Sequence, residues 1–336
     1  MPNLFYSRVE RRPRALWRLL IQALIFFILL SAMQIVIFIA AEVLLQSLGG
    51  FDPTAATPSL ARHPLMLIAL AISSILAIWI SFVIAARWLD RRPMRDYGFQ
   101  FSSRWWRDLV FGLFLGAVLM ALVFVVELAA GWVEITGYMA QAGPEGFVIW
   151  FLTAFIFYIS VGIYEEMLFR GYHLRNMAEG FEGRSLNPRT ALLLAYFLSS
   201  AIFGVAHAFN PNATLISVFN IAVAGLFLGI GYILTGDLAV PIGLHITWNF
   251  FQGNVFGFPV SGTSSGVTLI QVNQLGPDWM TGGLFGPEAG LIGLAAMLLG
   301  TLLTVLWVRY TRGVPRLREE LAVYARYTPE EANLEP

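Results

Sequence analysis

Residues 158–176, YISVGIYEEMLFRGYHLRN, place Glu165, Glu166 and Arg170 at the end of an almost wholly apolar run. Ionisable groups inside a membrane span are expensive and face a protein interior or a water cavity, so a functional role is the default reading. If the run is helical, Glu166 and Arg170 lie four residues apart on one face, acid before base. Glu165 is turned by about 100° from Glu166 and is left for a different partner. An ordinary salt-bridge cluster at a helix end would show the same spacing. Two more stretches carry chemistry. FGVAHAF (203–209) sets Phe203 one turn before His207, and GLHITWNFFQG (243–253) sets His245 one turn before Asn249. Each alone also fits packing: a hydrogen-bonded histidine in one case, an interhelical polar pair in the other. Together they are more specific. A carboxylate and an imidazole can share a water and take its proton, while a His–Asn pair can donate to a developing oxyanion. Those are the parts for water attack on an amide without serine, cysteine or metal.

The elements that must position these residues are long and apolar. The 336-residue chain is 57% hydrophobic and 12% charged, with a mean hydropathy of +0.70, well above an ordinary soluble domain. Apolar windows of about 20 residues, enough to span a hydrocarbon core, recur at 18–46, 65–87, 109–130, 147–170, 190–208, 214–235, 238–254 and 289–309. This predicts an all-α polytopic membrane protein of about eight transmembrane helices. Continuous runs of this length exclude an outer-membrane barrel. The polar residues concentrate in spans four to seven, the expected four-helix catalytic core, while spans one to three and eight are bland. A straight fifth span starting near Arg189 carries His207 roughly 27 Å from that end. Span four must then run on to about Met177, or span five must begin outside the core, for Glu165 and His207 to meet.

Charge sets the sidedness. All 21 basic residues are arginine. Twenty fall in the N-terminal segment, the 87–108 connection, the 170–189 stretch and the region from 309 onward, leaving only Arg62 for the opposite side. That bias predicts cytoplasmic N- and C-termini. The N-terminal apolar run is too long for a signal peptide, lacks a prompt small-residue cleavage pattern, and reads as a retained first helix. With no cysteine, disulfides, thiol catalysis and Cys-ligated metals are excluded. Trp105 and Trp106 read as headgroup-level anchors of the 88–108 segment. The 251–289 connection, rich in Gly, Ser and Thr with breakers at Pro259 and Pro277, reads as an external loop. The tail from 317 reads as a short amphipathic helix that frays.

EEMLFR (165–170), FGVAH (203–207) and HITWN (245–249) resemble, in order and separation, the EExxxR, FxxxH and HxxxN/B motifs of the CPBP family. This is the CAAX-protease and bacteriocin-processing group, also called Abi, which includes prenyl-protein endopeptidases. GLFLGIGYILTGDLAVPIGLH is similar to its Gly-rich sixth span and the turn before the last motif. The resemblance covers about 147–254 and implies an intramembrane glutamate protease with a membrane-associated protein or peptide substrate. Glu165 would be the general base, polarising water with His207, while His245 and Asn249 would form the oxyanion hole. Glu166 and Arg170 would hold the helix or contact substrate, with Phe203 in support. No cofactor is implied. The division is then 1–146 (cytoplasmic segment and spans one to three), 147–254 (catalytic core) and 255–336 (external loop, last span and cytoplasmic tail). The expected setting is the plasma membrane of a prokaryote, with the lipid bilayer as partner and no nucleic acid. Two alternatives stay open. Two histidines and a carboxylate form a possible zinc set, although no HExxH helix exists. The same buried groups could also serve a non-catalytic immunity, scaffold or proton-coupled transport protein.

Overall fold

The computed structural model describes residues 4–47, 63–141, 143–183 and 185–325. Among them run eight long helices: α1 (Ala15–Ser47), α2 (Pro64–Ile84), α3 (Ser103–Ala129), α4 (Phe147–Glu166), α5 (Pro188–Ala206), α6 (Leu215–Thr235), α7 (Ala239–Phe250) and α8 (Leu291–Arg312). α2 continues as a π-helix over Ala85–Asp90, and α7 does so over Phe251–Val255. α4 continues through a π-helical Met167–Leu174 and a further α-helical Arg175–Phe181. Seven helices are long and apolar enough to cross a membrane, the fourth counted as Phe147–Phe181. α7 is the shorter eighth, and every residue from Ala239 to Phe250 is buried. The protein is an all-α polytopic membrane protein, with only two small two-stranded sheets among the described residues.

Local chemistry sets the helix ends. Asn187 caps α5 by accepting from the Thr190 amide at 2.9 Å, with Pro188 in the first turn. Thr214 and Ser217 form a capping box at α6. These caps satisfy amides that a helix start leaves orphaned. Gly236 ends α6 in the left-handed region, letting the chain turn within two residues into α7.

α7 lies parallel to α3 and in close contact with it. Gly112 of α3 meets Val240 and Leu244, Gly116 meets Leu244 and Trp248, and Gly243 of α7 meets Leu109 and Leu113. A Cβ on Gly243 would stand 2.4 Å from the Leu109 carbonyl oxygen. Small residues four apart let membrane helices approach backbone to backbone, and here they seat the helix that carries His245 and Asn249.

The arginine-rich segments gather at one end. Glu179, at the foot of α4, is fully buried and paired with Arg12 (2.9 Å), Arg92 (2.6 Å) and Arg175 (3.3 Å), while Arg18 pairs with Asp90 at 2.9 Å. The N-terminal segment, the end of α2 and the foot of α4 are tied there. The chain after α8 joins them, with Tyr324 stacked on the Arg12 guanidinium and the Arg318 amide donating to the Ile233 carbonyl. Both ends of the described chain therefore lie on the arginine side. At the opposite end β1 (Val133–Ala140) pairs antiparallel with β2 (Thr268–Gln274), joining the connection after α3 to the one after α7. Arg62, the exception to the charge bias, lies outside the described residues.

Several expectations need correction. The fourth helix outruns its 147–170 window to Phe181, in line with the extension to about Met177 that the depth of His207 called for, because Arg175, Asn176 and Glu179 find buried polar partners among the N-terminal and α2 groups. Trp105 is packed inside, its indole donating to the Gly98 carbonyl at 2.9 Å, and only Trp106 faces outward. Span three is not bland: Asp108 and Glu127 are both fully buried, the former paired with Arg312 and Trp307. The tail forms a single 3-10 turn at Glu319–Ala322 in place of an amphipathic helix, since an extended 313–318 approach already seats Leu321 in the core; residues 326–336 lie outside the described set.

The α3–α7 contact should be intolerant of any side chain. Gly243→Val is expected to abolish recovery of monodisperse protein in detergent, whereas Gly183→Ala, where an added Cβ meets nothing within 4 Å, should be neutral. Size-exclusion profiles of the two variants decide it; a normal Gly243→Val profile would contradict the close approach.

Candidate active site

α4 descends toward the arginine end and α5 climbs away from it. The rings of Phe169 on α4 and Phe203 on α5 meet edge to face with centroids 5.0 Å apart. Four residues above Phe169 is Glu165, and four residues above Phe203 is His207. The antiparallel register therefore sets Glu165 and His207 at the same level. The extension of α4 to Phe181 makes this possible: the depth of His207 along α5 is matched by the depth of Glu165 above the foot of α4.

At that level Glu166 is fully buried, and one of its oxygens does two jobs. Oε1 accepts from the Arg170 guanidinium at 2.9 Å and from His245 Nδ1 at 2.8 Å. Arg170, 1% exposed, also donates to the Gly225 carbonyl of α6 at 3.0 Å and lies over the Phe203 ring, 4.5 Å from its centroid. Its charge is met on three sides by a carboxylate, a carbonyl and a π face. The face argument from spacing thus finds its pair, but Glu166 is also bound to a histidine that sequence spacing gave to a different task.

Because His245 Nδ1 donates to Glu166, the ring is fixed in orientation and its Nε2 is turned toward Glu165. Nε2 stands 3.9 Å from Glu165 Oε2, too far for a direct hydrogen bond. Glu165 Oε1 accepts from the Tyr164 hydroxyl at 3.1 Å. Oε2 is buried and has no hydrogen-bond partner among the described residues. A buried carboxylate oxygen without a partner calls for a water, and the gap to His245 Nε2 is one that a single water can bridge.

His207 follows the last residue of α5. Its Nδ1 is 2.8 Å from the Phe203 carbonyl oxygen, which can only accept, so Nδ1 carries a proton and donates. The Phe203 ring touches both imidazoles, 4.7 Å from His207 and 6.2 Å from His245. Asn249, one turn beyond His245, is nearly buried. The structure thus brings Glu165, Glu166, Arg170, Phe203 and His245 into direct contact, with His207 joined through Phe203. His245 presents its Nε2 to Glu165 at 3.9 Å.

Sequence reasoning missed three contributors. Tyr164 holds Glu165, the Gly225 carbonyl holds Arg170, and Glu288 approaches His207 from the end opposite the arginines. Glu288 is buried in the turn before α8 and accepts from the Ser261 hydroxyl at 2.7 Å. Burial pushes its carboxyl above the ordinary glutamate value, while hydrogen bonds from Ser261 and Gln252 and the nearby His207 pull it back. It ties the two ends of the 251–289 connection together, and Asn210 and Asn212 of the α5–α6 turn donate to the Ser261 and Gly262 carbonyls of that connection. Only the position of Glu288 just ahead of an apolar run could have flagged it.

A metal would need three free donors. Among the described residues, no three histidine or acidic groups stand together so as to hold one. One nitrogen of each active-site histidine is engaged, His245 by Glu166 and His207 by the Phe203 carbonyl, and Glu166 is paired with Arg170.

Residues 146–251 match the family model described as Type II CAAX prenyl endopeptidase Rce1-like. The matched segment runs from the start of α4 to just past α7 and holds all three motifs, while Glu288 lies beyond it. The resemblance read from the three motifs is borne out over that segment. The chain is also 27% identical over 176 residues to the uncharacterized protein YyaK of Bacillus subtilis (strain 168). That alignment covers 50% of this chain and 54% of YyaK, so the chain spans about half the length of the curated relative it matches. No solved structure matches this chain.

Removing Arg170 leaves Glu166 as an uncompensated buried charge, a change worth about 3–5 kcal/mol of stability. Arg170→Ala should therefore lower folded yield and the midpoint of denaturant unfolding, with Arg170→Lys intermediate because it keeps the charge but loses the fork to Gly225. Unfolding curves in detergent micelles check this; a wild-type midpoint for Arg170→Ala would show that the pair is not structural.

Proposed function

We propose that the protein is an intramembrane endopeptidase that hydrolyses a peptide bond of a membrane-associated protein or peptide, with Glu165 as general base and no metal. The observation that carries this reading is the partnerless Glu165 Oε2, 3.9 Å from His245 Nε2, inside the segment that matches an endopeptidase family. A water in that gap donates one proton toward Glu165 and directs its oxygen at the substrate carbonyl carbon. As the C–O bond forms, Glu165 takes the proton. The carbonyl oxygen gains charge, which the Asn249 side-chain amide stabilises as an N–H donor. Glu165 then passes its proton to the leaving nitrogen as the C–N bond breaks, giving an acid and an amine. Glu166 orients His245 and balances Arg170; it does not touch the reacting atoms.

The family description names CAAX prenyl substrates, so a C-terminal peptide bearing a prenylated cysteine is the first substrate to try. The arginine bias puts the termini in the cytoplasm, and a substrate anchored in the inner leaflet reaches Glu165 laterally from lipid. Purified protein in detergent, a farnesylated peptide and cleavage measured with and without a strong chelator test the reading. Glu165→Gln, which keeps shape but not basicity, should reduce kcat by a factor of about 10² or more without changing folded yield. Glu166→Gln should act on stability and more mildly on rate. The chelator should leave turnover unchanged. Chelator inhibition reversed by stoichiometric zinc would overturn the metal-free mechanism, and full activity in Glu165→Gln would overturn the base assignment.

A further inference from the structure

Away from the active site, at the arginine end of α3 and α8, a cavity of about 590 Å³ is lined by Gln100, Ser102–Arg104, Arg107, Thr235, Asp237, Arg312 and Arg318. Four of those residues are arginines and one is an acid. Asp237 is already held by Arg312 at 3.2 Å, and Arg312 is further paired with Asp108. Arg318 pairs with Glu320 at 2.9 Å on the exposed rim. Arg104 and Arg107 are exposed and have no carboxylate partner among the described residues. The cavity therefore carries an unbalanced positive charge. The N-terminus of α3, a 27-residue helix capped by Ser102, adds the positive end of its dipole.

A second feature continues from the first. One to two turns along the same helices, a groove of about 320 Å³ runs between α3 and α8, lined by Phe111, Phe114, Val118, Leu303, Leu306 and Tyr310 among others. Trp307 stacks flat on Phe111 with centroids 4.3 Å apart and donates to Asp108 at 2.9 Å. It closes the groove at the point where the lining turns from apolar to charged. On α3 the face reads Arg104, Arg107, Phe111, Phe114, Val118, at helical spacing of three and four. Phe114 and Tyr310 are strongly exposed on the flank where lipid lies.

We infer that a phospholipid with an anionic headgroup binds between α3 and α8, its phosphate in the Arg104–Arg107–Arg312–Arg318 cavity and an acyl chain along the Phe114–Leu306 groove. Charge complementarity selects the head, and the apolar groove flush with it selects a lipid over a free phosphate. Planar guanidinium forks suit phosphate oxygens, and each basic group near an anionic leaflet strengthens binding. The site is preformed and abuts Asp237, two residues before α7, so an occupant would brace the junction from which the His245 helix departs.

The test uses the full chain in detergent, read by native mass spectrometry and by thermal midpoint, with four probes: long-chain phosphatidylglycerol, its water-soluble dihexanoyl form, long-chain phosphatidylcholine, and inorganic phosphate. Long-chain phosphatidylglycerol should be retained one per chain and raise the midpoint. The dihexanoyl form should bind more weakly, and phosphatidylcholine and phosphate should do little. The double variant Arg104→Gln/Arg107→Gln should weaken phosphatidylglycerol binding about tenfold or more, with folded yield unchanged, since both residues are exposed and have no carboxylate partner among the described residues. The control Arg87→Gln/Arg189→Gln, removing two other exposed arginines of the same side, should not. Equal loss in the control would reduce the site to a general basic belt and overturn the inference. Inorganic phosphate reproducing the full shift would assign the cavity to a free anion instead, and phosphatidylcholine matching phosphatidylglycerol would remove the role of charge.

Discussion

One carboxylate oxygen, Glu166 Oε1, receives both the Arg170 guanidinium and the His245 imidazole, at 2.9 and 2.8 Å. The desolvation of each buried ion is worth several kcal/mol against folding, and a single charged hydrogen bond returns only about 1.5–3 kcal/mol. One partner alone would not offset that cost for either the acid or the arginine. Sharing the oxygen solves this and has a structural consequence. Glu166 stands on α4, His245 on α7, and Arg170 reaches Gly225 on α6 and Phe203 on α5. The interaction that keeps two charges tolerable in the interior therefore fixes the four helices of the site relative to one another.

Everything else around it serves depth and orientation. The buried ionic cluster at the foot of α4 draws that helix down to Phe181, which raises Glu165 to the level of His207. Gly112, Gly116 and Gly243 bring α3 against α7 and hold the His245 helix in the middle of the bundle, where a short helix can be enclosed. Directly after the glutamates the chain takes a π-helical course from Met167 to Leu174, a distortion that often marks functional sites. At the far end Asn210 and Asn212 tie the long connection to the α5–α6 turn, and Glu288 braces that connection through Ser261.

Much of this was legible beforehand because membrane spans are written in long apolar runs that local reading detects well. Seven spans and the buried α7 fall within a few residues of their expected places, except where α4 runs on. The Glu166–Arg170 pair was readable because i,i+4 geometry is local. The His245–Glu166 bond was not, since it joins residues 79 apart and spacing within one helix says nothing of it. Trp105 looked like an interfacial anchor from composition, and only the packing of Gly98 beneath its indole shows otherwise. Asp108, Glu127 and Glu288 were passed over because a single acid near a span end looks the same in sequence whether it is solvated or enclosed.

The shared water between Glu165 and His245 is tested most directly by a double-mutant cycle on cleavage: Glu165→Gln, His245→Ala and the two together, compared by kcat/KM on one substrate. Groups that act on the same water fail as a unit, so the double variant should be little slower than the worse single variant. Losses that multiply, each replacement exacting its full factor in the presence of the other, would contradict a common water and place the two side chains in separate steps.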